Sequence, residues 1–336
     1  MDLTVNFLIT FISQFQSPAL AFLIGGMLVA ASGSKLQIPS AIYQFAVFML
    51  LMRIGISGGM EIKQANLVDM ILPAVITVII GISIVLIGTF FFSRLKSIKK
   101  EDGIATAGLF GAVSASTLAA GMSVLEEKDI AFEAWAPALY PFMDIPALIL
   151  AIVMAKLYLS KQEGNQDKED TNVTAWSITK ESLQSSALSA LILGMALGLF
   201  ANTEKLFDGF YNPLFKGLLS ILMLTMGMEA YARLKELRRV AHWFAIYALF
   251  APIFHGLIAF GLGYIAHITV GFSPGGVIIL SLLAASSSDV SGPPTLRAGI
   301  PSANPSCYIG SSTSIGTPIA IAVCIPLFIA LSEAVF

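Results

Sequence analysis

Charge is scarce in this chain. Asp, Glu, Lys and Arg make up 12% of its 336 residues, where soluble domains average about 25%. So few charges cannot cover a water-exposed surface, which excludes an ordinary soluble enzyme or binding domain. Cysteine is scarcer still. The 2 present, Cys307 and Cys324, share one apolar segment, and on a single helix they stand about 25 Å apart. That separation excludes a disulfide between them. The 3 histidines, His242, His255 and His267, have no metal-ligand spacing. The sequence has no glycine-rich nucleotide loop and no zinc motif. Its Lys and Arg are spread over loops instead of forming a nucleic-acid face.

What is present is apolar. Hydrophobic residues make up 56% and mean hydropathy is +0.83, so the fold class reads as an all-α polytopic membrane protein. Apolar runs predict ten spans: 17–33, 39–60, 67–94, 104–125, 133–158, 183–202, 207–230, 238–266, 274–291 and 303–332. The first reads as a membrane helix and not as a secretory leader, because no Lys or Arg precedes it. The fourth and ninth are rich in Gly, Ala and Ser, and the ninth stops at Gly292-Pro293-Pro294. Residues 161–182 are polar and read as a cytoplasmic linker between halves 1–160 and 183–336.

Cations set the orientation. Loops after odd-numbered spans hold Lys35, then Arg94, Lys96, Lys99 and Lys100, then Lys156, Lys161, Lys168 and Lys180, then Arg233, Lys235, Arg238 and Arg239, and finally Arg297. Loops after even-numbered spans hold only Lys63, Lys128 and Lys205. The cation-rich side is predicted to be cytoplasmic, which puts both termini outside. Arg53, inside the second span, reads as a snorkelling side chain. Glu61 and Glu229 read as span-end residues facing water.

The halves resemble each other. "FQSPALAFLIGGM" at 15–27 matches "LQSSALSALILGM" at 183–195, an offset of 168, and "GME" recurs at 59–61 and 227–229. Farther along the offset grows to 172, placing Ser114 and Ser116 on Ser286 and Ser288. Five spans per half force the second half to cross upside down, an inverted repeat of the kind found in secondary transporters.

The fourth and ninth spans are equivalent under this offset. "GLFGAVSASTLAAGMSVLEE" at 108–127 and "AASSSDVSGPPTLRAGIPSANPS" at 284–306 each join an apolar run to serines and small residues. Small residues also permit close helix packing, but paired interruptions at equivalent positions point to a substrate site. A helix broken inside the membrane frees N–H groups that must be satisfied, and those at a helix start favour an anion. The anion candidates are Ser114, Ser116, Thr117, Ser286, Ser287, Ser288 and Gly292. Two acids fall at membrane depth, Asp289 after the serine triplet and Asp144 in "YPFMDIPALIL". Such acids are functional candidates by default. An acid beside an anion site is reconciled by a bound cation, for which Asp144, Asp289, Ser288, Ser291 and Thr313 are candidates. Reading from residues alone leaves three classes open. These are a small-anion symporter, a sodium/proton antiporter of related build, and an intramembrane hydrolase using the two acids, or a serine with His255.

The segments "GLFGAVSASTLAA", "EAWAPALYPFMDIPAL", "GLLSILMLTMGMEA" and "AASSSDVSGPPTLRAGIPSANPSCYIGSSTSIGTPIAIAVCIPLF" closely resemble the cyanobacterial sodium-dependent bicarbonate transporter (SbtA) family. The resemblance runs essentially end to end and departs mainly at 161–179, where the linker is shorter. It implies symport of bicarbonate with Na⁺ feeding a carbon-concentrating mechanism, with no cofactor and no enzymatic activity. It also implies a homotrimer in the bacterial inner membrane and a cytoplasmic partner, the PII-like regulatory protein SbtB. The expected motion is an elevator-type slide of spans 3–5 and 8–10 past a scaffold of spans 1, 2, 6 and 7.

Overall fold

A chain surrounded by hydrocarbon must satisfy its backbone groups within each segment, and helices do this locally. The computed structural model describes residues 18–63, 67–162, 186–237 and 242–336, with 180 and 184 besides. Every regular element among the described residues is helical. In chain order these are α1 (Pro18–Ala31), α2 (Ser40–Ile62), α3 (Leu67–Ser93), α4 (Lys100–Gly111) and α5 (Ala115–Glu127). A 3₁₀ turn (Ala136–Leu139) leads into α6 (Tyr140–Gln162), followed by α7 (Ser186–Phe200). A π turn (Phe207–Tyr211) then enters α8 (Asn212–Leu237). The chain finishes with α9 (His242–Val270), α10 (Pro274–Ala285), α11 (Gly292–Gly299) and α12 (Pro305–Val335), which contains two π turns. The linker expected at 161–182 lies almost wholly outside the described residues.

Among the described residues, seven helices are long and apolar enough to cross a membrane, counting α4 with α5 as one. The other three expected spans fall on shorter apolar helices, Pro18–Ala31, Ser189–Phe200 and Pro274–Ala285. The expected ninth span, 274–291, is corrected here: its helix stops at Ala285, and Ser286 is extended (φ −80°, ψ 172°). The α4–α5 unit explains why the fourth span reads weakly. Its most apolar window is 100% buried, against 39% for α3, so protein and not lipid surrounds its polar side chains.

The helices sort into two bundles. α2 packs along α7, α1 along α8, and α8 also meets α2. The second bundle joins α3, α4 and α6, and packs α9 against α10 and α3. The bundles meet where α8 and α2 face α5 and the first part of α12. Glycine permits the closest crossings. A Cβ on Gly194 in α7 would sit 2.7 Å from the Met52 carbonyl oxygen and 3.1 Å from Gly55 Cα in α2. Backbone thus rests on backbone, as small-residue pairs at four-residue spacing permit in membranes.

Two sequence expectations change. Arg53 does not snorkel: it is 6% exposed and its Nη2 lies 2.8 Å from Glu126 Oε1. It is held by partners inside the protein, so it has no need to reach the interface. Glu61 is not a purely water-facing end residue, since its Oε2 accepts the Trp135 N–H at 2.9 Å.

Substituting Gly194→Val should force α2 and α7 apart. Overpacking of this kind costs about 1–3 kcal/mol, which should appear as a Tm lowered by several degrees in detergent. Gly261→Val, where the added carbon meets nothing within 4 Å, is the control. Equal melting of the two variants would show that the crossing has slack.

Candidate functional site

The two helix interruptions cross each other at the centre of the second bundle. The first is short. α4 ends at Gly111, Ala112 turns extended (φ −91°, ψ 160°), and α5 begins at Ala115 with Ser114 as its N-cap. The second runs longer, from Ser286 to Ser291 between α10 and α11. Small residues at both places let the chains approach to hydrogen-bonding distance. Ser114 N–H donates to Ser286 Oγ at 3.0 Å, and Ser288 N–H donates to the Leu109 carbonyl at 2.9 Å.

Each freed amide of the first interruption finds a partner, as its burial requires. Val113 N–H, the amide that a continuous helix would turn back onto Leu109, donates instead to Asp144 Oδ1 at 3.0 Å. The Val113 carbonyl accepts from Tyr140 Oη at 3.1 Å. Ala115 N–H and Ser116 N–H donate to Asp289 Oδ1 and Oδ2 at 3.2 and 3.3 Å. Ser116 Oγ also donates to Asp289 Oδ2. Thr117 N–H donates to the capping Ser114 Oγ at 3.1 Å. The positive end of α5 therefore holds a carboxylate of the protein's own chain, the charge that a helix start favours.

Asp144 is fully buried. Beside Val113 it takes the Ser291 hydroxyl, 3.2 and 3.0 Å from its two oxygens. Ser291 lies 3.0 Å from Ser288 Oγ, which accepts the Gly292 N–H at 2.8 Å. One proton order satisfies this chain: Gly292 donates to Ser288, Ser288 to Ser291, and Ser291 to Asp144. The second half-helix is a poorer anion site than the first. Pro293 and Pro294 at its start have no N–H, and its Gly292 amide is already engaged.

Most of the sequence candidates are brought together. Ser114, Ser116, Thr117, Ser286, Ser288, Ser291, Gly292, Asp144 and Asp289 belong to this one network. Ser287 reaches elsewhere, its Oγ 2.7 Å from Ser312 Oγ. Thr117 Oγ1 is buried with no partner among the described residues. No hydrogen bond among the described residues joins Thr313 to either interruption, while its neighbour Ser312 in the π turn at Ser312–Gly316 bonds Ser287. Tyr140, Ser312 and Tyr43 were not singled out from sequence. Tyr43 of α2 sets its phenol against Ser116 from the other bundle. The offset of 172 places Tyr140 on Ser312, a signal available in the sequence. The four-residue spacing from Tyr140 to Asp144 also puts both on one helix face.

These oxygens are hard donors suited to a group I or II cation. Among the described residues no group of three or more His, Cys, Asp or Glu gathers, so nothing resembles a transition-metal cage. His255 is buried with its Nε2 3.4 Å from Tyr247 Oη. No hydrogen bond among the described residues joins it to a serine, so the serine–histidine hydrolase arrangement is not formed there.

A family model for the Na⁺-dependent bicarbonate transporter superfamily matches residues 18–333. No curated protein matches the chain.

Ser291→Ala should remove a hydroxyl that donates to a fully buried carboxylate. Losing a hydrogen bond to a charged group costs roughly 1.5–3 kcal/mol, so Tm should fall, and Ser291→Thr should restore most of it. A Ser291→Ala protein that melts like the parent would mean that Asp144 rests on Val113 alone.

Proposed function

The chain belongs to the Na⁺-dependent bicarbonate transporter superfamily, a family of transporters and not of enzymes, and from that premise we propose how it couples its two solutes. Bicarbonate and Na⁺ move together, the anion at the start of α5 and the cation among Asp289, Asp144, Ser288 and Ser291. The observation that carries this reading is the carboxylate of Asp289 on the amides of Ala115 and Ser116. That carboxylate and a bicarbonate ion want the same donors. Na⁺ gives Asp289 another partner, so a bound cation draws the carboxylate off the helix start. The amides of Ala115 and Ser116, with the hydroxyls of Ser114, Ser116 and Thr117, are then free for the anion. The unpartnered Thr117 hydroxyl is one donor that bicarbonate would satisfy. Without Na⁺ the protein's own acid keeps the anion out. Ser286, Ser287 and Gly292 line the opposite side in this reading, with Ser312 taking the place first given to Thr313.

Electrostatics favours this pairing. A negative interior opposes entry of one negative charge by about 2.3 kcal/mol per 100 mV. One Na⁺ per bicarbonate removes that opposition and adds the sodium gradient.

The architecture assigned is two inverted five-helix repeats, residues 1–160 and 183–336, joined by the linker at 161–182. The packing supports it: under the sequence offset α1 maps to α7 and α2 to α8, and the observed pairs α2–α7 and α1–α8 exchange. The pairs α3–α4 and α9–α10 exchange likewise. The division into two bundles supports an elevator motion, α3–α6 with α9–α12 sliding past α1, α2, α7 and α8. The cation count supports an inner-membrane orientation with both termini outside. The family resemblance supports a homotrimer, regulation by SbtB and a place in a carbon-concentrating mechanism.

Purified protein in lipid vesicles tests the core of this reading. An inward Na⁺ gradient should drive labelled bicarbonate uptake, and Asp289→Asn should abolish the sodium dependence while the protein stays folded. Ala at Ser114, Ser116, Ser286 or Ser288 should raise the half-saturation for bicarbonate about tenfold to hundredfold. Sodium-driven proton movement that ignores bicarbonate would instead identify an antiporter.

A further inference from the structure

The half-helix α5 has a charged anchor at its far end. Its last residues, Glu126 and Glu127, stand where the helix dipole disfavours acids. Both are compensated from the other bundle. Glu126 Oε1 is 2.8 Å from Arg53 Nη2 of α2, and Glu127 Oε1 is 3.6 Å from Lys216 Nζ of α8. The first pair is the strong one. The Arg53 side chain is 8% exposed and Glu126 is 31% exposed, whereas Lys216 is 62% exposed and so contributes little.

Arg53 has a second set of partners on its own side of the boundary. Its Nη2 donates to Asn212 Oδ1 at 2.8 Å. Its guanidinium lies 4.3 Å from the centre of the Phe215 ring and 5.6 Å from that of Phe207. Asn212 and Phe215 belong to α8 and Phe207 to the turn before it. A buried arginine stripped of every partner is strongly destabilising. Here, losing Glu126 leaves it an amide oxygen and two aromatic faces.

We infer that Arg53 and Glu126 form a reversible latch between the two bundles, with Arg53 the positioning residue that holds α5 in the arrangement seen here. α5 carries the candidate site at its N-terminus and the latch at its C-terminus, so a shift of the site relative to α2 must break this pair. Asn212, Phe207 and Phe215 then still hold the Arg53 guanidinium, which is what allows the bond to open and re-form. The inference rests on the two-bundle motion proposed above.

Cysteines at the exposed companion pair report on the latch. Lys216→Cys with Glu127→Cys is treated with a short, reducible bis-thiol crosslinker, and crosslinking is followed by intact mass. Cys307 and Cys324 are buried, and the two single-cysteine variants serve as controls. Crosslinking should arrest Na⁺-driven bicarbonate uptake and a reductant should restore it. Adding Glu126→Gln should slow crosslinking at least threefold, because this arrangement becomes less populated. Adding Arg53→Lys, which keeps the charge but loses the planar fork, should slow it less. Undiminished uptake by the crosslinked protein would show that this boundary does not move and would overturn the inference. Unchanged crosslinking in Glu126→Gln would overturn it too, and that arm is readable without transport. If the reduced double-cysteine protein and the parent both lack sodium-dependent uptake, the transport reading fails, whatever the crosslinking shows.

Discussion

A helix cannot stop inside a bilayer unless each amide and carbonyl it frees finds another partner, and the centre of this protein is organised by that requirement. Interrupting the fourth helical segment at Gly111 releases Val113, Ser114, Ala115 and Ser116 from helical bonding. The fold answers with one carboxylate for Val113, a serine hydroxyl for Ser114, and a second carboxylate for Ala115 and Ser116. These acceptors come from α6 and from the second interruption, so satisfying one broken helix fixes the positions of two other segments. The crossing bond from Ser288 to Leu109 closes the set. It uses the carbonyl that Val113 no longer occupies.

The same requirement separates the roles of the two interruptions. The first is three residues long and followed by residues with intact amides, so it concentrates N–H donors. The second is six residues long and followed by two prolines, so it has few donors to offer. What it supplies is oxygen: Ser286, Ser288, Ser291 and Asp289. The first interruption thus presents donors and the second acceptors. A site for an anion and a cation side by side needs that division, and two identical halves would not supply it.

Local chemistry was legible in the sequence, and the direction of side chains across the fold was not. That the fourth and ninth spans are broken near their serine clusters could be read because Gly, Ser and Pro act within a few residues. The serine candidates followed from the repeat. That two prolines deprive α11 of donors was equally legible, since proline never has an N–H, but expecting two equivalent helix starts passed over it. Tyr140 was reachable through the offset that places it on Ser312 and through its four-residue spacing from Asp144. The destinations of Asp289 and Arg53 were beyond reach. Nothing in "LLMRIGISGG" tells that Glu126, 73 residues away, will lie opposite Arg53, because that meeting depends on how α2 crosses the end of α5. Ser312 was missed for a related reason. A π turn rotates the residues of α12 away from their regular helical positions, and no periodic pattern in the sequence marks it.

α5 joins these observations physically. It is a rigid rod of 13 residues, about 20 Å long, with no proline or other break between its ends. Its first turn holds Asp289 and its last turn meets Arg53, so neither contact can shift independently of the other. In the proposed mechanism the cation acts at the first turn by taking Asp289, while Glu126 at the last turn ties the rod to α2. Charge at one end and position at the other are therefore linked through a single helix. An uncoupled slide would have to carry Asp289 on the amides of Ala115 and Ser116, a carboxylate occupying the place of the anion. In that reading the empty carrier is self-blocked at its anion site by the same bonds that satisfy the start of α5.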